Sequence, residues 1–288
     1  MKKFNNILFG AHMSIGGGIH HAIERGESIG CTAIQIFTKS NRQWHAKPLQ
    51  EKEIELFKET WKKSSIASII VHAAYLINVG SGKKELEDKS VKGLIEELQR
   101  CNQLGIPYLV LHPGSFAGTD QKTCLKQIAH NLDRALEATH GHTTILLETM
   151  AGQGSSTCHT FEQIAEIIAL SHHKKYLGVC FDTCHAFTAG YHFNTIQTYE
   201  KMWNDFDGII GLSKLHAMHI NDSKAECGSR LDRHAHIGKG KIGLEAFKLL
   251  FNDKRFADIP KILETPYKTI EDYIPDMETI YSLIEKKN

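Results

Sequence analysis

The chain has 288 residues, 41% of them hydrophobic, which is enough for a sizeable core and suits one α/β barrel of about 250 residues or more. Its 34 Lys and Arg against 33 Asp and Glu leave a formal charge of +1, which excludes a strongly basic or acidic body, so any anion-binding surface has to be local. Seven cysteines with no C-x-x-C pair argue against a disulfide framework or a thiolate zinc finger, and no stretch is long and apolar enough to span a bilayer.

In chain order, Lys2 and Lys3 lead into Phe4 to Phe9, a faint likeness to a signal peptide that two asparagines interrupt and that runs straight into GAHMS. Together with the reduced, buried thiols expected of the cysteines, this points to a cytoplasmic protein. Strand-length apolar runs follow at Ile7 to Ser14, Ala33 to Thr38, Ser68 to Tyr75, Tyr108 to Gly114, Thr143 to Met150, Leu177 to His185, Leu215 to Ser223 and Ile259 to Pro266. They are rich in Ile, Val and Leu and mostly lack polar alternation, the pattern of strands buried on both faces. Between them, amphipathic helices are expected at Leu49 to Ser64, Lys83 to Gly105, Asp120 to His140, from Thr160 onward, Thr195 to Ile210 and Leu244 to Phe251, with Ile270 to Lys286 closing the chain. Gly105 with Pro107 behind it is a stop signal, and Asp120 and Thr160 are N-cap candidates. Eight strands alternating with helices predict a single (β/α)8 TIM barrel over residues 1–288, with its site at the C-terminal ends of the strands.

Nine potential metal ligands fall where those runs end: His72, His112, Glu148, Asp182, His185, His219, Asp232, His234 and Glu264. Most of the remaining histidines, such as His20, His21, His172 and His173, carry no such placement. Asp182 and His185 are three apart, so both face the mouth only if the chain turns after Thr183; they then serve different ions. Asp232 and His234, two apart, suit a shared ion, although His236 competes with His234. Of His216 and His219 only one can point into the mouth from a regular strand, and His219, nearer the C-terminal end, is taken as the ligand.

Glu148 and Glu264 each end an apolar run, and a carboxylate at that depth needs a cation or a strong donor. Four such carboxylates raise one another's pKa unless metal keeps them ionised. Nitrogen and oxygen donors without thiolate favour zinc, with manganese or iron acceptable, and nine ligands satisfy about three ions if one carboxylate bridges two. Three divalent cations against four carboxylates leave about +2, a surplus that suits an anionic phosphodiester. The loop Thr38 to Lys47, with Lys39, Arg42, Trp44, His45 and Lys47, reads as a basic patch interleaved with an aromatic.

Several long motifs, ETMAGQG at Glu148, FDTCHAFTAGY at Phe181, HINDSK at His219, DRHAHIGKG at Asp232 and LETP at Leu263, resemble the endonuclease IV (deoxyribonuclease IV) family, as do GAHMSIGGG and FTKSNRQW nearer the N-terminus. The resemblance covers nearly the whole chain. It implies a xylose isomerase-like barrel holding three zinc ions that hydrolyses the phosphodiester 5′ to an abasic site, leaving 3′-hydroxyl and 5′-deoxyribose phosphate ends, and that cleans blocked 3′ ends. It implies that His72, His112 and Glu148 hold the first ion, that Glu148, Asp182, His219 and Glu264 hold the second, and that His185, Asp232 and His234 hold the third. Glu148 then bridges the first two ions, which hold the attacking hydroxide. It further implies that Arg42, Tyr75 and Leu76 enter the minor groove of double-stranded DNA where a base is missing. The expected form is a monomer.

Two rival readings stay open on sequence. A sugar isomerase or epimerase of the related barrels also uses Glu148, Asp182, His219 and Glu264, but does not need the other five ligands. A non-catalytic DNA-lesion or zinc-binding protein needs no water held at the metal.

Overall fold

The computed structural model describes residues 7–140 and 142–285. Lys2, Lys3 and Phe4 of the N-terminal reading, and Lys286, lie outside the described residues.

The expected runs form β1 (Phe9–Met13), β2 (Ala33–Ile36), β3 (Ser68–His72), β4 (Tyr108–Leu111), β5 (Thr144–Glu148), β6 (Leu177–Asp182) and β7 (Leu215–Ile220). A small antiparallel pair, β8 (Asp222–Ser223) and β9 (His234–Ala235), follows, and then β10 (Lys261–Leu263). β1 to β7 and β10 are parallel, and β10 pairs with both β1 and β7, so the sheet closes into an eight-stranded barrel. Closure leaves the barrel no edge strand, and nearly every residue of its strands is buried, which is why the runs carry so little polar alternation.

The helices are α1 (His21–Ser28), α2 (Glu51–Lys63), α3 (Lys84–Leu104), α4 (Gln121–Thr139), α5 (Phe161–Leu170), α6 (Thr183–Ala189), α7 (Ile196–Ile209), α8 (Leu244–Asn252) and α9 (Ile274–Leu283). The start and stop signals act as expected. Asp120 accepts the Thr123 amide at 3.0 Å, Thr160 accepts that of Gln163, and Gly105 ends α3 at φ 76°. Two helices depart from the sequence reading. α1 lies in a segment for which no helix was expected, behind a glycine-rich stretch. α6 begins inside the run read as strand to His185, because the Asp182 carboxylate accepts the His185 amide at 2.7 Å and caps a helix that Gly190 ends at φ 117°.

The core has two parts. Most apolar side chains pack between the outer face of the barrel and the helices. Inside the barrel lies a separate plug of Ala33, Ile70, Val110, Leu146, Cys180, Ala217 and Ile262, one from each of seven strands. Six of the seven cysteines are buried. Among the described residues no helix is long and apolar enough to cross a membrane.

Candidate metal centre at the barrel mouth

Strand side chains repeat every second residue, so the residue two beyond each member of the apolar plug points into the barrel one layer higher. Counting on by two from the plug gives Gln35, His72, His112, Glu148, Asp182, His219 and Glu264. β1 adds His12, which lies in register with Gln35. An apolar plug is thus topped by a ring of polar and ionisable side chains, one per strand, at the end where the loops emerge. His185 from α6, and Asp232 and His234 from the segment entering β9, lie above it.

These residues sort into three groups whose ligand atoms lie within 4.8 Å of one another: His72, His112 and Glu148; Glu148, Asp182, His219 and Glu264; and His185, Asp232 and His234. Glu148 belongs to two of them. Its Oε2 lies 3.2 Å from Nε2 of both His72 and His112, and its Oε1 lies 3.1 Å from His219 Nδ1. His219 Nδ1 is also 3.1 Å from Glu264 Oε2 and 3.8 Å from Asp182 Oδ2. In the third group Asp232 places one oxygen 3.1 Å from His185 Nε2 and the other 3.3 Å from His234 Nε2.

Three of the rings are oriented by backbone carbonyls. His72 Nδ1 donates to the Ala73 carbonyl at 2.7 Å, His185 Nδ1 to that of Thr149 at 3.0 Å and His234 Nδ1 to that of Glu264 at 3.0 Å. Each bond puts the proton on Nδ1 and leaves Nε2 facing its group, the arrangement by which a second hydrogen bond orients a metal-binding imidazole. Nε2 of His185 and of His234 are buried with no hydrogen-bond partner among the described residues. Buried nitrogens left bare beside a carboxylate are satisfied by a cation in the space they share, so the donor set fits a metal.

The carboxylates are held as carefully. Asp182 accepts from Asn221 Nδ2 at 2.7 Å, and Asn221 Oδ1 accepts the Glu264 amide at 3.0 Å, tying two strands together across the mouth. Burial raises the Glu148 carboxyl, but the His219 and His112 rings outweigh it and hold it well below the ordinary carboxylate range. Burial likewise raises Asp232, and the His185 and His234 rings beside it bring it far down. In return, burial lowers the His234 ring, yet Asp232 and Asp182 raise it to about 9. The site therefore concentrates negative charge that only protons or metal cations can neutralise.

His216 stacks on Tyr108 at 5.2 Å, away from the three groups, as the parity argument expects. His236 is no rival to His234, since its Nδ1 lies 2.9 Å from Asp276. Cys184 sits near Asp182 and His234, but burial pushes its thiol up to about 12, which disfavours the thiolate a metal needs.

The basic loop needs correction. Lys39 is buried against Glu96 at 3.2 Å and donates to the Trp44 carbonyl at 3.0 Å, and Trp44 packs on the core, so both residues anchor the loop. Arg42, His45 and Lys47 remain exposed. Tyr75 is 53% exposed, its ring 5.2 Å from that of His72 and 5.3 Å from that of His112, and it forms a wall of the mouth; Leu76 beside it is half-buried. Sequence reasoning passed over His12 and Gln35, each a single polar residue inside an apolar run. The two-residue offset from the plug finds both.

A sequence model of the xylose isomerase-like TIM barrel family matches residues 23–283. A probable endonuclease 4 of Geobacter sulfurreducens is 45% identical over 284 residues, 98% of this chain and 96% of that one. A probable endonuclease 4 of Geotalea daltonii is 49% identical over 258 residues, 89% and 90% of the two chains. Among solved structures, the crystal structure of endonuclease IV from Thermus thermophilus superposes with a TM-score of 0.85 at 34% identity, covering 96% of this chain and 98% of that one.

Proposed function

The chain belongs to the endonuclease IV family of DNA-repair AP endonucleases, and we propose that it hydrolyses the phosphodiester 5′ to an abasic site in double-stranded DNA, leaving 3′-hydroxyl and 5′-deoxyribose phosphate ends. The same chemistry acts on blocked 3′ ends. One observation carries this reading: the two oxygens of Glu148 are divided between separate groups, Oε2 toward His72 and His112 and Oε1 toward His219, as a carboxylate bridging two cations must be.

In this reading His72, His112 and Glu148 hold a first ion, Glu148, Asp182, His219 and Glu264 a second, and His185, Asp232 and His234 a third. Nitrogen and oxygen donors favour zinc, with manganese or iron acceptable. Bound there, divalent cations supply an acidified water as nucleophile and stabilise the charge that builds on the phosphate oxygens.

The chain's own residues do the rest. The Ala73, Thr149 and Glu264 carbonyls and the Asn221 amide hold the ligands, so little reorganisation is needed when substrate arrives. Tyr75 stands beside the first group and, with Leu76 next to it in the chain, fills the gap left by the missing base, while Arg42, exposed on the loop after β2, meets the minor-groove edge or the phosphates. A sugar isomerase needs only the four-residue group. The two histidine-rich groups beside it support the nuclease.

The test is incubation with a duplex bearing one synthetic abasic site, before and after prolonged chelation. A single nick 5′ to the lesion is expected, lost on metal removal and in Glu148→Ala. Cleavage that survives verified metal removal, or a β-elimination product, would overturn the proposal.

A further inference from the structure

Gln35 stands in the polar ring yet belongs to none of the three groups. It is fully buried on β2, and its amide is used at both ends. Oε1 accepts from His219 Nε2 at 2.8 Å; Nε2 donates to Glu264 Oε1 at 2.6 Å and to His12 Nδ1 at 3.0 Å.

An amide oxygen only accepts and an amide nitrogen only donates. With the nitrogen committed to a carboxylate, the oxygen faces His219, and His219 has to carry its proton on Nε2. Its Nδ1 is then bare, and Nδ1 is the atom that faces Glu148, Glu264 and Asp182. The same amide holds Glu264 Oε1, leaving Oε2 turned toward His219 Nδ1 at 3.1 Å.

We propose that Gln35 is the positioning residue of the four-residue group, setting the tautomer of His219 and the rotation of Glu264 through one side chain. The proposal rests on the reading that this group holds a cation. What distinguishes the group is the source of the restraint. His72, His185 and His234 take their tautomers from backbone carbonyls, which no side-chain replacement removes. Among these four rings, only His219 depends on a side chain, so one substitution can reset this group and spare the others.

The experiment compares zinc-loaded wild type with Gln35→Leu and Gln35→Met, two apolar replacements of different shape, each checked for folding by circular dichroism. Each protein is dialysed against rising chelator, and zinc per chain is measured by elemental analysis. In both variants one ion is expected to leave at a chelator strength about 10- to 100-fold below that needed for wild type, while the other ions hold as in wild type. Ring NMR of the loaded proteins should show the His219 Nε2–H proton at the downfield shift of a hydrogen-bonded imidazole in wild type, moved upfield in both variants and kept downfield in Gln35→Glu, which retains an acceptor. Unchanged zinc release in the variants, or an unchanged His219 signal, would overturn the role of Gln35. Wild-type protein that binds no zinc would overturn the metal reading and this inference with it.

Discussion

Removing metal with a chelator at pH 7.5 is expected to load protons onto the histidines of the mouth, and returning zinc should expel them. Burial lowers the rings of His185 and His219, but Asp182 and Asp232 raise the first and Glu264 and Glu148 the second, so both end well above the usual histidine value. His234 is raised to about 9, so at pH 7.5 it is mostly protonated in the metal-free protein. Loading all three groups should therefore release close to three protons per chain. Two of them belong to the His185, Asp232 and His234 group, so its zinc affinity should rise with pH, by about 10-fold per unit for each ring still protonated.

The sign for stability follows from the same shifts. Raised histidines stabilise the metal-free fold fully below about pH 6.5, and the contribution of His234 is lost as pH climbs through about 9. The depressed carboxylates Glu148, Glu264 and Asp232 stabilise it above the ordinary carboxylate range and lose that contribution as acid protonates them. Metal-free protein should thus weaken relative to the zinc form as pH rises through 9. The assay is a pH-stat titration of metal-free protein with zinc in unbuffered salt, joined to chelator competition at pH 6.5, 7.5 and 8.5. Release of less than about one proton per chain, or an affinity independent of pH after correction for the chelator, would refute the reasoning.

Three further outcomes are expected. His234→Ala should lose the ion of its group while His236→Ala keeps the full metal content, because His236 is bonded to Asp276; elemental analysis of the two proteins would show the reverse if the assignment is wrong. Tyr75→Ala should retain its metal but lose about 5- to 150-fold in kcat/KM on an abasic duplex, the value of one lost stacking face of about 1–3 kcal/mol, and unchanged kinetics would remove Tyr75 from the DNA-contacting surface. Asp222→Ala should lower the melting temperature by roughly 6–10 °C, since a buried carboxylate that accepts the Ser223, Gly238, Gly240 and Ile242 amides contributes about 3–5 kcal/mol; a shift below about 1 °C in a calorimetric scan would contradict it.

What the sequence reveals about this chain follows from how much of each signal is local. Strands buried on both faces announce themselves as apolar runs, and their C-terminal ends locate the ring. Spacing required a turn after Thr183, yet the helix that begins at Thr183 was not foreseen, because FDTCHAF is as apolar as the strand before it. α1 was hidden by its glycine-rich approach and its short length. Lys39 looks like a surface cation in sequence because its partner Glu96 lies on α3, far along the chain. Gln35 and His12 escaped notice because attention to the ends of runs misses a polar residue inside one. Only the barrel's layering, which places Gln35 level with His219 and Glu264, gives it meaning.

The trinuclear centre is tested most directly by the number of divalent ions per folded chain in protein purified without chelator, measured by elemental analysis against an accurate protein concentration. Three are expected, one for each group that shares or adjoins Glu148. A value near one, unaffected by His72→Ala or His234→Ala, would contradict it and leave only the four-residue group as a metal site.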